Sequence, residues 1–153
     1  MARKQLSDMV SDIRAGLELG MEKATRDLVQ ELQEQGPHWT GEFEANWKVV
    51  PGQRLMSSGN PGGPVNFDRP EERGAPPTIA VPMTTLEQGY TVYNDMEYAD
   101  KAMDLEPGDD GIYRGDRLRA TAPRDWFEKY ILGGPANLTL ANGVKDGMKI
   151  AGF

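Results

Sequence analysis

A chain of 153 residues is long enough for one ordinary domain with a single core, and its 38% hydrophobic content, 18 Gly and 11 Pro assign a large share of it to loops. The absence of cysteine excludes disulfides and thiolate metal sites, and with them zinc ribbons and thiol enzymes. With 24 acidic against 17 basic residues the net charge is -7, which argues against a surface built to hold duplex DNA by neutralising its phosphates. No apolar run approaches the roughly 20 residues that a membrane span needs, and the N-terminal pattern is amphipathic rather than that of a signal peptide. A soluble, unexported protein is expected.

Leu6, Val10, Ile13, Leu17, Met21, Ala24, Leu28 and Leu32 recur at spacings of three and four, which predicts one amphipathic helix from about Lys4 to Gln35. Such a helix is about 45 Å long, more than a domain of this size can cover, so it must project past its own core or lie across a neighbour. Glu22 with Arg26 and Lys23 with Asp27 sit four apart on its polar face. Gly16 and Gly20, one turn apart, either permit close approach or a bend, or are simply tolerated. Gly36 and Pro37 stop the helix, Thr40 and Gly41 make a tight turn, and a strand is expected with Phe43 and Trp47 at alternate positions.

From Pro51 to Pro77 the Gly, Pro, Ser and Asn content predicts a long excursion, with a short strand near Val65–Phe67. Thr78–Met83 and Tyr90–Tyr93 have strand composition and are expected to pair antiparallel through a turn at Glu87–Gly89. Met96 to Leu105 suits a short helix that Pro107 and Gly108 end, Arg114–Ala120 is a further strand or an ordered loop, and Pro123 opens a short helix from Arg124 to Ile131. Beyond Gly133 the sequence shows no helical period and many small residues, and an arm ordered by a partner is expected. The fold class is therefore α+β: a long N-terminal helix and shorter helices on a small, mainly antiparallel sheet. Residues 1–132 form one domain, with 51–77 as its extended loop and 133–153 as a C-terminal arm.

Few residues suggest chemistry. His38 is the sole histidine, so any histidine-assisted nucleophile must use it, yet its place beside Pro37 and Trp39 at a helix end favours a structural or solvent-facing role. Asp104, Glu106, Asp109 and Asp110 offer oxygen ligands for a hard cation, but their spacing lacks the EF-hand order and a solvated acidic loop is favoured. No acidic-x-Lys triplet of the nuclease type and no phosphate-cradling G-x-x-x-x-G-K-[ST] run occurs. The protein is not expected to be an enzyme, and neither a cofactor nor a metal is expected. Among the aromatics, Trp47 and Phe127 read as core, while Trp39, Tyr98, Trp126 and Tyr130, with Leu17 and Met21 on the long helix, are candidate interface anchors.

Three phrases in this order, GPHWTGEFEANWKVV at Gly36–Val50, YTVYNDMEYADKAMDLEPGD at Tyr90–Asp109 and the Ala-Pro-x-x-Trp-Phe segment at Ala122–Phe127, follow a long amphipathic helix. Together they resemble the neck or tail-completion proteins of tailed bacteriophages. The family pattern is met by Pro37, Thr40, Gly41, Asn46 and Trp47, then by Tyr93, Asn94, Tyr98, Ala99, Glu106 and Gly108, and the resemblance extends to about Leu132. The chain departs from the pattern where the apolar residue after the Thr-Gly turn is displaced to Phe43, where Pro107 separates Glu106 from Gly108, and at Arg69–Pro77.

The resemblance implies a virion structural protein at the head–tail junction, assembled in the host cytoplasm as a hexameric or dodecameric ring. Its partners would be further copies of itself, a head-side connector and a tail terminator or tail-tube protein, with no membrane. It would help retain packaged DNA, which passes through without tight binding, and Asp104, Glu106, Asp109 and Asp110 become candidates for the channel or an inter-ring surface. Two other classes fit parts of the sequence: a small catalytic or regulatory protein with a metal on the acidic cluster, and an adaptor that dimerises through its helix.

Overall fold

The computed structural model describes residues 5–38, 41–53, 74–96, 99, 122 and 125–153. Within these, the fold is α+β, as expected. A 30-residue helix α1 (Leu6–Gln35) leads to one helical turn α2 (Glu42–Ala45) and strand β1 (Trp47–Pro51). Strand β2 (Tyr90–Asn94) follows, then helices α3 (Trp126–Leu132) and α4 (Pro135–Ile150). The sheet is the antiparallel pair β1–β2, with Trp47 opposite Asn94 and Pro51 opposite Tyr90.

The spine of the molecule is α1 packed on α4. Their contact is made by glycine, because a Cβ on Gly147 would fall 2.1 Å from the Cα of Gly20, and one on Gly143 would fall 2.3 Å from the Cα of Ala24. Backbones approach this closely only where side chains are missing. Gly20 is thus a close-approach residue. The ion pairs Arg26–Glu22 and Lys23–Asp27 form on the polar face as the spacing suggests, at 2.5 and 2.7 Å.

Several elements differ from the sequence reading. Residues 133–153 are not a featureless arm: Pro135 sits in the first turn of α4, and Ala136, Thr139, Gly143 and Gly147 are its buried residues. That face has helical spacing but no large apolar side chain, so a search for hydrophobic periodicity passes over it. The buried face of α1 is likewise Gly16, Gly20, Ala24, Thr25, Val29, Leu32 and Gln33, leaving Leu6, Val10 and Ile13 of the apolar stripe exposed.

Phe43 lies in α2 rather than on a strand. A helical turn brings it to the same side as Trp47, and their rings meet edge to face at 5.7 Å. The partner of β2 is β1, not Thr78–Met83. Residues 74–85 run without ladder pairing, and Pro76, Pro77 and Pro82 lack the N–H donors a strand needs there. Side chains hold the segment instead: Gln33 Nε2 donates to the carbonyl of Pro77 at 3.0 Å and Tyr90 Oη to that of Pro82 at 2.6 Å. The turn before β2 is where it was expected, with Gly89 at φ +63° and its N–H on the carbonyl of Thr85. The strand near Val65–Phe67, the strand or loop at Arg114–Ala120 and most of the helix from Met96 lie outside the described residues.

The glycine contact yields a graded expectation. Gly147→Ala and Gly143→Ala should each cost about 2 kcal/mol or more, because overpacking against backbone outweighs the helix-propensity gain of about 1 kcal/mol. Gly16→Ala should be nearly neutral, since its Cβ would stand 3.0 Å from the Cβ of Ala151 and the flexible Met148 thioether. Urea unfolding of the three variants measures the order, and a Gly147→Ala protein as stable as the parent would show the helices to be farther apart.

Candidate functional site

The phrases that carry the family resemblance meet at one buried junction. Gly36 and Pro37 end α1 there, and a Cβ on Gly36 would stand 3.0 Å from the Phe43 ring and 3.3 Å from that of Trp126. Phe43 packs edge to face on both Trp47 and Trp126, the latter at 6.1 Å. Met96, Ala99 and Ala122 complete the cluster with Tyr130, Val29 and Leu32.

Asn94 fastens the first phrase to the second. Its Nδ2 donates to the carbonyl of Phe43 at 2.8 Å, and its Oδ1 accepts from the backbone N–H of Met96 at 3.1 Å. The N–H of Asp95 adds a bond to the carbonyl of Asn46. An aspartate could not supply the donor, and an alanine would supply neither bond.

A second polar knot ties α1 to α2. Gln33 Nε2 donates to the carbonyl of Glu44 at 2.8 Å as well as to that of Pro77, using both amide protons. His38 Nδ1 lies 3.0 Å from Glu44 Oε1, with both side chains buried. His38 is therefore part of the interior packing around the helix end, not solvent-facing.

The interface candidates divide. Leu17 and Met21 are half-buried on α1. Trp126 and Tyr130 are only 3% and 1% exposed, so they are core residues of this fold and present no surface to a partner. Their heptad-like place on short α3 faces the aromatic cluster, and composition alone does not separate a core aromatic from an interface one. Trp39, Tyr98, Asp104, Glu106, Asp109 and Asp110 lie outside the described residues. Among the described residues no group of three or more His, Asp or Glu side chains could hold a metal, and no helix is long and apolar enough to cross a membrane.

Two groups in the interior are strained electrostatically or by desolvation. Trp47 Nε1 is buried without an acceptor, a deficit of the kind that costs about 1–3 kcal/mol. The Tyr130 hydroxyl is buried beside Thr139 and Glu31 without a well-aligned hydrogen bond, and Thr139 Oγ1 itself reaches Glu31 Oε1 at 3.0 Å. Burial, chiefly, pushes the Tyr130 phenol up to about 12, the nearby Glu31 carboxylate adding to the shift. Burial also raises Tyr90.

Two expectations follow from these contacts. Asn94→Ala should lower stability by about 1–3 kcal/mol, because it removes the acceptor of the buried Met96 N–H and leaves the Phe43 carbonyl only its long bond from the Asn46 N–H at 3.4 Å, and chemical denaturation reads this directly. For Tyr130, the folded chain holds the phenolic proton more tightly than the unfolded chain, whose value is near 10.0. Stability is then undiminished below pH 10 and falls as pH rises toward 12. Tyr130→Phe should flatten that alkaline loss in thermal melts, leaving a remainder from Tyr90; an unchanged alkaline slope would remove Tyr130 from the account.

Comparison with protein-family models, with curated proteins and with solved structures finds no match.

Proposed function

We propose that this protein is a structural subunit of the head–tail junction of a tailed bacteriophage, a neck or tail-completion protein that assembles as a ring between connector and tail. The observation that supports it most is the convergence of the three resemblance phrases on one junction, through Phe43, Trp47, Asn94 and Trp126. Residues separated widely in sequence act there as one packing unit, which is what a shared fold pattern requires of them. The second support is α1, whose apolar stripe is only partly used by the subunit itself.

On this reading mechanism means assembly. Neighbouring copies in the ring reach α1 at the half-buried Leu17 and Met21. The net charge of -7 suits a ring that DNA traverses, because each phosphate contact would add affinity and slow transit. Asp104, Glu106, Asp109 and Asp110 remain proposed as contributors to the lumen or to a ring-to-ring surface.

Removing the gene from its phage should give filled heads without joined tails, restored by the wild-type protein and not by Leu17→Glu. Electron microscopy of lysates together with mass spectrometry of purified particles makes the test. Normal tailed particles lacking this protein would overturn the proposal. In the same reading the free protein should show no duplex-DNA binding by anisotropy at physiological salt, and tight, salt-sensitive binding would sink the non-gripping channel.

A further inference from the structure

The N-terminal turns of α1 extend beyond α4. Gly16 lies against Ala151, Met148 and Phe153 at the end of α4, so the turns from Leu6 to Ile13, about 12 Å of helix, have no α4 beside them. Ile13, Met9 and Leu6 precede Gly16 by three, seven and ten residues, which returns them to the face that α4 covers farther along. That face is open to solvent, most at its outer end: Leu6 is 76% exposed, Met9 46% and Ile13 38%, with Val10, at its margin, 59%. Ile150 and Phe153, at the same end of the helix pair, are 69% and 51% exposed.

We propose that this overhang is the contact between two copies of the chain, paired antiparallel about a two-fold axis near Met9 and Val10. Three arguments select a second copy. The six side chains Leu6, Met9, Val10, Ile13, Ile150 and Phe153 leave on the order of 600 Å² exposed per copy, the top of the range for the largest patch on a typical monomer, and covering them wholly in both copies buries about 1,200 Å², the lower bound for a specific interface. Leu6, Val10, Ile13 and Leu17 follow one another at spacings of four, three and four, the seam with which one helix packs on a copy of itself. The face is also continuous with the α1–α4 contact, so a partner helix laid on it extends a packing layer already present.

The orientation follows from α4. In a parallel pair, the two α4 helices, each on the seam side of its own α1, would be driven into the same space. An antiparallel pair sends the two bodies to opposite ends. It also sets the partner's α1 in line with α4, its positive N-terminal end toward the negative C-terminal end of α4. Both copies carry -7, so the contact must be apolar in character to form. The inference does not depend on the head–tail reading.

The cysteine-free sequence allows a clean test on the full chain. Met9→Cys should oxidise to a covalent dimer. Leu6→Cys alone should not, whereas Leu6→Cys mixed with Ile13→Cys should give the crossed disulfide. By sedimentation equilibrium the unmodified protein should show a mass twice 16.9 kDa or an even multiple of it. Val10→Glu, at an exposed position, should weaken pairing about a hundredfold while helix content and thermal unfolding stay as in the parent. A monomer at high micromolar concentration overturns the proposal. So do a dominant Leu6–Leu6 link through the cysteine variants, or association indifferent to Val10→Glu.

Discussion

The approach of α1 to α4 at Gly20 and Gly147 sets the position of every other element. Each glycine inside a helix costs about 1 kcal/mol relative to alanine, and the fold accepts this at Gly16, Gly20, Gly143 and Gly147. In return the two backbones come into direct contact and their dispersion attraction is gathered over several turns. Because α3 and α4 are separated only by Gly133 and Gly134, the latter at φ +104°, fixing α4 on α1 also fixes where Trp126 and Tyr130 point. Those rings form one wall of the cluster into which Phe43 and Trp47 fit, and Trp47 opens the strand that pairs with β2.

The division between interior and surface changes what the resemblance means. Of its pattern residues that can be located, Pro37, Trp47, Asn94 and Ala99 are buried, and Gly41, Asn46 and Tyr93 are half-buried. They secure a helix end, a turn and a strand pair to one another. They specify how the fold is built, and they say nothing by themselves about what its outside touches. Surface function must be carried by residues the pattern does not stress, on the free part of α1 and beyond the described segments.

How much was legible in the sequence follows from the kind of side chain involved. Helix α1 announces itself by period, α3 by a proline-led aromatic run and the turn at Glu87–Gly89 by its glycine. Helix α4 was hidden because the residues that bury it are small, so the contact energy resides in backbone proximity, which hydropathy does not record. The β1–β2 pairing was missed because Phe43 and Trp47 imitate strand alternation across what is a helical turn, and because prolines at 76, 77 and 82 interrupt a segment with strand-like composition. Trp126 and Tyr130 could not be assigned inward or outward from sequence, since the same amphipathic rings serve cores and interfaces. The meeting of the resemblance phrases became visible only with Asn94, whose bonds reach Phe43, 51 positions away.

The pairing of α1 with α4 also governs how the chain is made. Thr139 bonds to Glu31 across 108 positions, and the glycine contacts join segments at still greater separation. Contacts of such sequence distance form late and slow the search for the native state. During translation, α1 leaves the ribosome long before its partner helix exists, and its glycine face and apolar seam stay open to solvent throughout. A chain that ends before Gly143 would keep that surface uncovered, the condition under which fragments aggregate rather than fold.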